Sequence, residues 1–355
     1  MTWLSRDTVP AGTGFLRLSP GADVAVPLSP ADLAATVELS RETFAAAGIT
    51  AEDRVVVALN SDGDLAGALL TQALTGLAGA TASVGPRGRM RLLAALEAVG
   101  ATALVITPTG AADLLARLHM EFLVDPLDLG LRTLVLVGEI TEQRTCRHLA
   151  TEFGARVVWV YADPVFGAAL AWRDASDSRD GLHPVRDDVL ALASISADTV
   201  LQAAPGKSAE LVLTPVWHST LGGATIRTGE VVDLDGESAG IPAPTHTVGN
   251  HVLIRGRWLS LPRLRAVLAK IDGIAQWTLE IRRDGTLDVA TLKVAFARQS
   301  LLKNPMWHGR VRQAVAAVTP VTIQVEVLPE VSETSAPPVI DDRRGHHLGS
   351  DRHGR

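Results

Sequence analysis

The sequence predicts an α/β protein: a largely parallel sheet covered by helices, then a β-hairpin section, then a small ferredoxin-like α+β C-terminal domain. Three observations support this fold class. Up to about residue 160, short uncharged β-runs alternate with helices of crossover length, which is typical of a parallel sheet buried on both faces. From about residue 190, short strands follow one another with Pro and Gly between them. Beyond Asn250 the predicted order is β-α-β-β-α-β, the split motif of ferredoxin-like domains.

The first half of the chain carries the clearest helix and strand signals. Ser29, Pro30 and Asp32 supply a hydroxyl cap, a proline at the first helical position and a carboxylate in the first turn. We therefore expect a helix over 29–48, ended by Gly48. Residues 54–59 lack polar alternation, which predicts a buried strand. The same reasoning predicts helices at about 65–77, 111–119 and 141–153, another ending at Gly100, and strands at 80–84, 103–107, 133–137 and 156–160.

The second half predicts hairpins and then a separate C-terminal domain. Strands are expected at 210–214 and 230–234, and beyond Asn250 at 252–254, 276–281, 287–294 and 321–327, with helices at 261–271 and 305–318. These patterns divide the 355 residues into four parts: a degenerate N-terminal segment over 1–28, a larger α/β domain over 29–247, a C-terminal lid-like domain over 248–330 and a disordered tail over 331–355.

Composition excludes several classes of function. The net charge of −6 argues against binding to nucleic acid, which needs a basic surface. The single cysteine, Cys146, cannot form an internal disulfide or build a cysteine-based zinc site, and the histidines lack metal-ligand spacing, so no metal site is expected. No apolar run approaches the roughly 18 residues of a membrane span, and no export signal opens the chain. We therefore expect a cytoplasmic protein without a membrane or nucleic-acid partner.

Two segments have the chemistry of a ligand site. Tyr161, Ala162 and Asp163 follow a predicted parallel strand, and ligands of open α/β sheets bind at the carboxyl ends of such strands. Tyr161 could instead be a half-buried aromatic in a plain strand-to-loop turn. In the second segment, over 226–230, Glu230 follows a predicted tight turn and could accept two ribose hydroxyls. The alternative is a hairpin turn that carries a surface acid.

The order of these segments resembles the phenylacetate–CoA ligase branch of the adenylate-forming (acyl-CoA synthetase) superfamily. The resemblance covers about 15–344 and rests on short motifs in register. They are Val137-Gly138-Glu139, Tyr161 with its loop, Gly181-Leu182-His183, Arg227-Thr228-Gly229-Glu230 and Leu253-Ile254-Arg255-Gly256. It implies ATP or AMP, CoA and Mg²⁺ as cofactors, a hinge at Asn250, and nucleotide or ligand binding by Gly138, Glu139, Tyr161, Ala162, Asp163, Arg227 and Glu230.

The chain also departs from the family's pattern at positions that carry its chemistry. The phosphate loop corresponds to 15–22, which has one serine, one glycine and no lysine. Val165 stands at the metal-linked glutamate, Ser335 at the catalytic lysine, and Glu230 replaces the ribose aspartate. Catalytic residues therefore stay unassigned.

These departures predict lost or altered ATP-dependent adenylation in an acyl- or aryl-acid–CoA ligase-like protein that retains an interdomain pocket. If active, it would be an AMP-forming carboxylic acid ligase. Its ligand is expected to be a small carboxylate or an adenosine-bearing molecule. The alternative is a non-catalytic homologue that binds a ligand or a partner in a biosynthetic pathway, and a homodimer or a partner enzyme both stay open.

Overall fold

The fold is taken from a computed structural model of the chain. It describes residues 2–5, 15–18, 25–60, 66–85, 88–177, 179–201, 207–234, 240–298, 305–329 and 339–352. Two predictions lie outside these residues: the second half of the degenerate phosphate loop (19–22), and Ser335 at the position of the catalytic lysine.

The elements form two regions that meet near residue 250. The first contains β1 (Thr2–Ser5), β2 (Phe15–Leu18), β3 (Ala25–Leu28), α1 (Pro30–Ala46), β4 (Arg54–Ala58), α2 (Ala66–Thr75), β5 (Ala80–Ser83), α3 (Arg89–Val99), β6 (Ala103–Ile106), α4 (Pro108–Arg117), β7 (Thr133–Val137), α5 (Gln143–Phe153), β8 (Arg156–Ala162), β9 (Ala169–Asp174), β10 (His183–Pro184), β11 (Leu190–Ala193), β12 (Val200–Leu201), β13 (Lys207–Leu213), β14 (Ala224–Leu234) and β15 (His246–Thr247). The second contains β16 (His251–Ile254), β17 (Arg257–Ser260), α6 (Leu261–Leu268), β18 (Ile274–Asp284), β19 (Leu287–Phe296), α7 (Pro305–Ala316), β20 (Ile323–Leu328) and β21 (Ile340–Asp342). A π-helix, Leu118–Phe122, and a 3-10 helix, Pro126–Leu129, follow α4.

A seven-stranded sheet lies at the centre of the first region, in the order β10-β9-β8-β7-β6-β4-β5. The five strands from β8 to β5 are parallel, and β9 and β10 extend the sheet antiparallel. Val56 packs into the core on one face, and Val55 and Val57 pack into the core on the other. The structure thus confirms a largely parallel sheet covered on both faces. Within the described residues, no helix is both long and apolar enough to cross a membrane.

Helix α1 begins as the sequence predicts. The Ser29 hydroxyl accepts from the Asp32 backbone N–H at 3.1 Å, and the Asp32 carboxylate accepts from the Ser29 N–H at 2.8 Å. This reciprocal capping box satisfies two N–H groups that the helix itself leaves unpaired. The helix then packs along β9, where the Thr43 hydroxyl donates to the Ala169 carbonyl oxygen at 2.8 Å.

A second, six-stranded sheet has the order β1-β14-β13-β11-β12, with β15 also paired to β14. The predicted hairpin section is confirmed, since β13 and β14 pair antiparallel. The predicted tight turn before Glu230 is wrong: β14 starts at Ala224, so Arg227 and Glu230 lie inside a strand. A register shift opposite, between Glu210 and Val212, and a left-handed Gly229 (φ +78°) show that the local irregularity is a β-bulge.

A four-stranded sheet forms the second region, in the order β20-β19-β18-β21, and α6 and α7 share its apolar core. The α+β character is confirmed, but the predicted first strand, 252–254, is not in this sheet. It pairs with β17 in a separate hairpin, whose two turn residues, Arg255 and Gly256, both have positive φ. Such a two-residue turn pairs β16 with its immediate neighbour in the chain, which leaves the sheet position to another segment.

That segment comes from the predicted disordered tail. Residues 340–342 form β21, which pairs parallel with β18. The Arg343 N–H donates to the Ile281 carbonyl oxygen at 2.8 Å, and the Leu279 N–H donates to that of Val339 at 2.9 Å. The prediction of disorder is therefore wrong for 339–352, because an unpaired edge of β18 offers hydrogen bonds that the composition of the tail does not reveal. The predicted domain boundaries stay a prediction.

Candidate functional site

A cavity of about 560 Å³ lies where the first region faces the four-stranded sheet. Its walls come from the carboxyl ends of the neighbouring strands β6 and β7, from the β18–β19 turn, and from the segment after β21. This edge of a parallel sheet is where α/β proteins hold ligands. The lining residues are Pro108, Thr109, Ala112, Ile140, Thr141, Glu142, Arg144, Thr145, His148, Arg283, Gly285, Thr286, Arg344 and His346.

The lining is rich in basic side chains and also contains the carboxylate of Glu142. Arg144 and His148 lie on α5, and Arg283 and Arg344 come from the second region. Asp288 holds the last two, with its carboxylate oxygens 2.6 Å from Arg283 Nε and 2.6 Å from Arg344 Nη1. These pairs fix the two guanidinium groups in the wall, while the Arg144 side chain is 90% exposed and lies 3.8 Å from Glu142.

Two helices begin at the cavity. Helix α4 starts at Pro108 after the cap residue Thr107, and α5 starts at Gln143 after Glu142, whose side chain makes no capping hydrogen bond. The N-terminus of a helix favours negative charge through its free N–H groups and its dipole. Beside them, the Thr141 hydroxyl oxygen is buried and has no hydrogen-bond partner among the described residues. The first N–H groups of α4 are already taken by Glu139 and Thr107, so the N-terminus of α5 and the exposed Arg144 are what favour an anionic or polar group here.

Glu139 lies just behind this lining, at the end of β7. It accepts from the Thr109 N–H at 2.8 Å and from the Thr109 hydroxyl at 2.7 Å. Burial raises the pKa of Glu139 to about 7. Gly138, with φ +84°, turns the chain there, and the turn residue Gly256 packs so closely that a Cβ would lie 3.1 Å from Thr107. Glu139 therefore lies near the seam between the two regions, and its part in ligand binding stays a prediction.

Tyr161 and Glu230 lie side by side, as a shared site would require, but they are hydrogen-bonded to each other. The Tyr161 hydroxyl donates to Glu230 Oε2 at 2.7 Å, and burial raises the pKa of Tyr161 well above its ordinary value, so it stays a donor. The ring is 1% exposed and packs near Trp159. Neither side chain lines the cavity, and no open ring face is available for a stacked base.

The Asp163 carboxylate is hydrogen-bonded to the backbone of its own loop. It accepts from the backbone N–H groups of Val165, Phe166 and Ala168 at 2.9, 2.6 and 2.9 Å. This arrangement shapes the turn between β8 and β9, with Ala162 as the last residue of β8. Val165 is itself buried and offers no oxygen where the resemblance requires a metal-linked glutamate. The residues here do not fit Mg²⁺.

Arg227 is bound up in an ion-pair network. Its guanidinium donates to Glu210 Oε2 at 2.6 Å and to Asp198 Oδ1 at 2.8 Å. It also donates to two carbonyl oxygens and lies 5.2 Å from the Trp3 ring centroid. Glu210 is fully buried and is paired on its other side with Arg352. Arg227 thus neutralises a buried carboxylate, a role that the sequence reasoning missed.

Asn250, the predicted hinge, joins the two regions. It is exposed and lies between β15 and β16, and its carbonyl oxygen accepts from the Leu261 N–H at 2.9 Å. Sequence reasoning missed the cationic cavity residues altogether. The one local signal was the pair of arginines beside Cys146, of which Arg144 lines the cavity.

No protein-family model matches the sequence, and no curated protein matches it by sequence. Solved structures do match. A 2-hydroxyisobutyryl-CoA ligase with 2-HIB-AMP and CoA, in the thioesterification state, has a TM-score of 0.74 at 17% identity, over 90% of this chain and 71% of that one. The amide bond synthetase McbA from Marinactinospora thermotolerans has a TM-score of 0.68 at 17% identity, over 90% and 66%. An o-succinylbenzoate CoA synthetase (MenE) double mutant from Bacillus subtilis has a TM-score of 0.62 at 14% identity, over 89% and 65%.

The chain therefore has the fold of the adenylate-forming CoA ligases. The same 2-hydroxyisobutyryl-CoA ligase in two other states matches less well. Its open conformation has a TM-score of 0.55 over 90% of this chain, and its postadenylation state has 0.57 over 95%. Because the ligase is the same in each case, the difference reflects how its parts are arranged.

Proposed function

We propose that this chain binds CoA or an acyl-CoA ester in the 560 Å³ cavity and does not form acyl-adenylates. The observation that carries the proposal is one wall of the cavity, where the exposed Arg144 lies at the N-terminus of α5, with Arg283 and Arg344 in the opposite wall held by Asp288. CoA carries three phosphate groups on a flexible chain, and phosphate is the ligand that guanidinium groups and helix N-termini favour. The volume is within the usual range of small-molecule sites.

The residues divide into two groups by the way they would hold the ligand. Arg144 and His148 lie on the outer part of α5 and would take the phosphates in partly exposed contacts. Thr109 lies at the start of α4, and its hydroxyl already donates to Glu139, so it would accept from an amide N–H of the pantetheine arm. The bound CoA would supply a thiol that can carry an acyl group.

The arrangement of the two regions supports this proposal. The TM-score of 0.74 belongs to a ligase with CoA bound in its thioesterification state, and the same ligase scores 0.55 when open and 0.57 after adenylation. The cavity forms only because the β18–β19 turn and the segment after β21 face α4 and α5. A site for CoA is therefore favoured in the arrangement that this chain adopts.

Loss of adenylation rests on different residues. Val165 offers no metal-linked carboxylate, and Tyr161 and Glu230 satisfy each other where a nucleoside would need both. Each preorganised group missing from a transition state costs about 3–4 kcal/mol, or two to three powers of ten in rate. Two or more such losses would leave little activity.

Calorimetric titration tests the binding. We expect wild-type protein to bind CoA more tightly than dephospho-CoA, AMP or pantetheine. Arg144→Ala should weaken CoA binding about fivefold, because an exposed ion pair contributes about 1 kcal/mol. Arg147→Ala is the matched control, since Arg147 is exposed on the same helix but does not line the cavity. No CoA binding at about 1 mM, or equal effects of both substitutions, would contradict the proposal.

Pyrophosphate exchange tests the loss of adenylation. With ATP and Mg²⁺, purified protein should show no exchange above background with phenylacetate, benzoate or short acyl acids. Robust exchange with any of them would show that adenylation survives and that this part of the proposal is wrong.

A further inference from the structure

We infer that residues 339–352, called here the C-terminal strap, hold the four-stranded sheet against the first region in one arrangement. The strap begins as β21 in the four-stranded sheet and then leaves it. It crosses to the segment just before Asn250 and ends on the six-stranded sheet of the first region. A segment bonded on both sides of a hinge resists rotation about that hinge.

Its attachment to the second region is strong. Beyond the β21 pairing, the Arg344 guanidinium binds Asp288 at 2.6 Å and Asp342 at 2.8 Å, and it donates to the Leu253 carbonyl oxygen at 3.0 Å. Arg344 and Asp288 are both at most 5% exposed in their side chains. This cluster ties the strap to the β16–β17 hairpin as well as to the sheet.

Its attachment to the first region is made by backbone groups around the hinge. The Thr247 N–H donates to the His346 carbonyl oxygen at 2.6 Å, and the Leu348 N–H donates to that of Thr247 at 2.8 Å. The Gly249 N–H donates to the carbonyl oxygen of Gly349 at 2.9 Å. These three bonds fall on residues one and three positions before Asn250.

The strap ends in a buried ion pair. Arg352 donates to both oxygens of Glu210, at 3.0 and 3.2 Å. Glu210 is fully buried, so release of Arg352 removes one of the cations that compensate its charge. Gly249, with φ +98°, lies against the same guanidinium, where a Cβ would come within 3.0 Å. The contact is therefore closely packed as well as charged.

The strap therefore keeps the four-stranded sheet and the first region in a single relative arrangement. The 2-hydroxyisobutyryl-CoA ligase is known in thioesterification, open and postadenylation states, whereas the strap would resist leaving the first of these. Arg344 and His346 belong both to the strap and to the cavity wall, so the strap also completes the site. Only this last point rests on the proposed function.

Spin labels on Arg147→Cys and Glu326→Cys, in a Cys146→Ser background, test the inference by pulsed distance measurement. Both labelled positions are exposed, one on α5 and one on β20. We expect one narrow distance distribution in the otherwise unaltered chain. Leu348→Pro with Arg352→Ala removes the Leu348–Thr247 hydrogen bond and the Arg352–Glu210 ion pair while leaving β21 and the Arg227–Glu210 ion pair in place. This double variant should broaden the distribution to longer distances.

Arg343→Ala is the matched control, because Arg343 pairs with Glu280 and Asp341 on the near side of the hinge only. It should leave the distribution narrow. Hydrogen exchange gives a second readout: the amides of Thr247, Gly249 and Leu348 should be protected in wild type. Those of Thr247 and Gly249, which the double variant keeps, should exchange roughly tenfold faster or more in it.

A broad distribution in the unaltered chain, or unprotected amides at these three positions, overturns the inference. So does a double variant that remains folded by circular dichroism and keeps the narrow distribution. These measurements need no ligand, so their outcome does not depend on whether the chain binds CoA.

Discussion

Removal of the Arg227 guanidinium separates a structural role from a ligand-binding one. Arg227→Ala leaves Glu210, which is fully buried, with Arg352 as its remaining cation. Breaking one side of a buried ion pair costs about 3–5 kcal/mol. Because Arg352 still compensates part of the charge, we expect a loss near the lower end, about 3 kcal/mol in the free energy of unfolding. That corresponds to about 6–12 °C in Tm for a region of this size.

Urea unfolding followed by circular dichroism measures this loss. Arg186→Ala is the control, because Arg186 pairs with Glu42 at the surface, with both side chains more than a third exposed, and such pairs contribute about 0–1 kcal/mol. Adding Glu210→Gln to Arg227→Ala should recover part of the stability, since an amide leaves no buried charge. If Arg227→Ala costs no more than Arg186→Ala and instead weakens CoA binding, the structural role assigned to Arg227 is refuted.

Three further substitutions test the buried groups. Since burial raises the pKa of Glu139 to about 7 from 4.5, the folded chain binds a proton there that the unfolded chain has released, and wild type loses stability as pH rises from about 4.5 to 7. In urea titrations, the free energy of unfolding of Glu139→Gln should therefore rise relative to wild type by up to about 3 kcal/mol from pH 5 to pH 8. A difference between the two proteins that does not change with pH would contradict this. Tyr161→Phe should lower stability by about 1–3 kcal/mol and leave the calorimetric CoA affinity unchanged; a weakened affinity would place Tyr161 in the site. Asp163→Asn should lower Tm, because three N–H groups lose a charged acceptor, and an unchanged Tm would argue against that role.

Features set by neighbours in the chain could be predicted from the sequence. The capping box of α1 needs only Ser29, Pro30 and Asp32, and the uncharged run of β4 alone indicates a strand buried on both faces. The β16–β17 hairpin could also have been predicted. Arg255-Gly256 separates the apolar run 252–254 from Trp258-Leu259, with Gly256 supplying the positive φ that a two-residue turn needs. The β-α-β-β-α-β order instead takes 252–254 as its first strand, because a predicted helix, 261–271, follows it.

Features set by distant pairing could not be predicted. Tyr161 and Glu230 are 69 positions apart, and Glu210 and Arg352 are 142 apart. Whether a carboxylate faces a ligand or a guanidinium depends on strand register, here shifted by the bulge at Glu210. The cavity is assembled from segments near 110, 145, 285 and 345, which no local pattern links. Motif resemblance identified the fold, yet the structure shows Tyr161, Asp163, Arg227 and Glu230 bonded to other protein groups.

The location of bound CoA tests the central claim most directly. A crystal structure of the chain grown with CoA is predicted to show its phosphates against Arg144 and His148 at the N-terminus of α5, with the pantetheine arm running past Thr109 towards the seam. The strap should remain paired with Thr247 and Gly249. CoA bound instead at Tyr161 and Glu230, with their hydrogen bond broken, or an empty cavity in crystals of a CoA-saturated protein, would contradict the proposal.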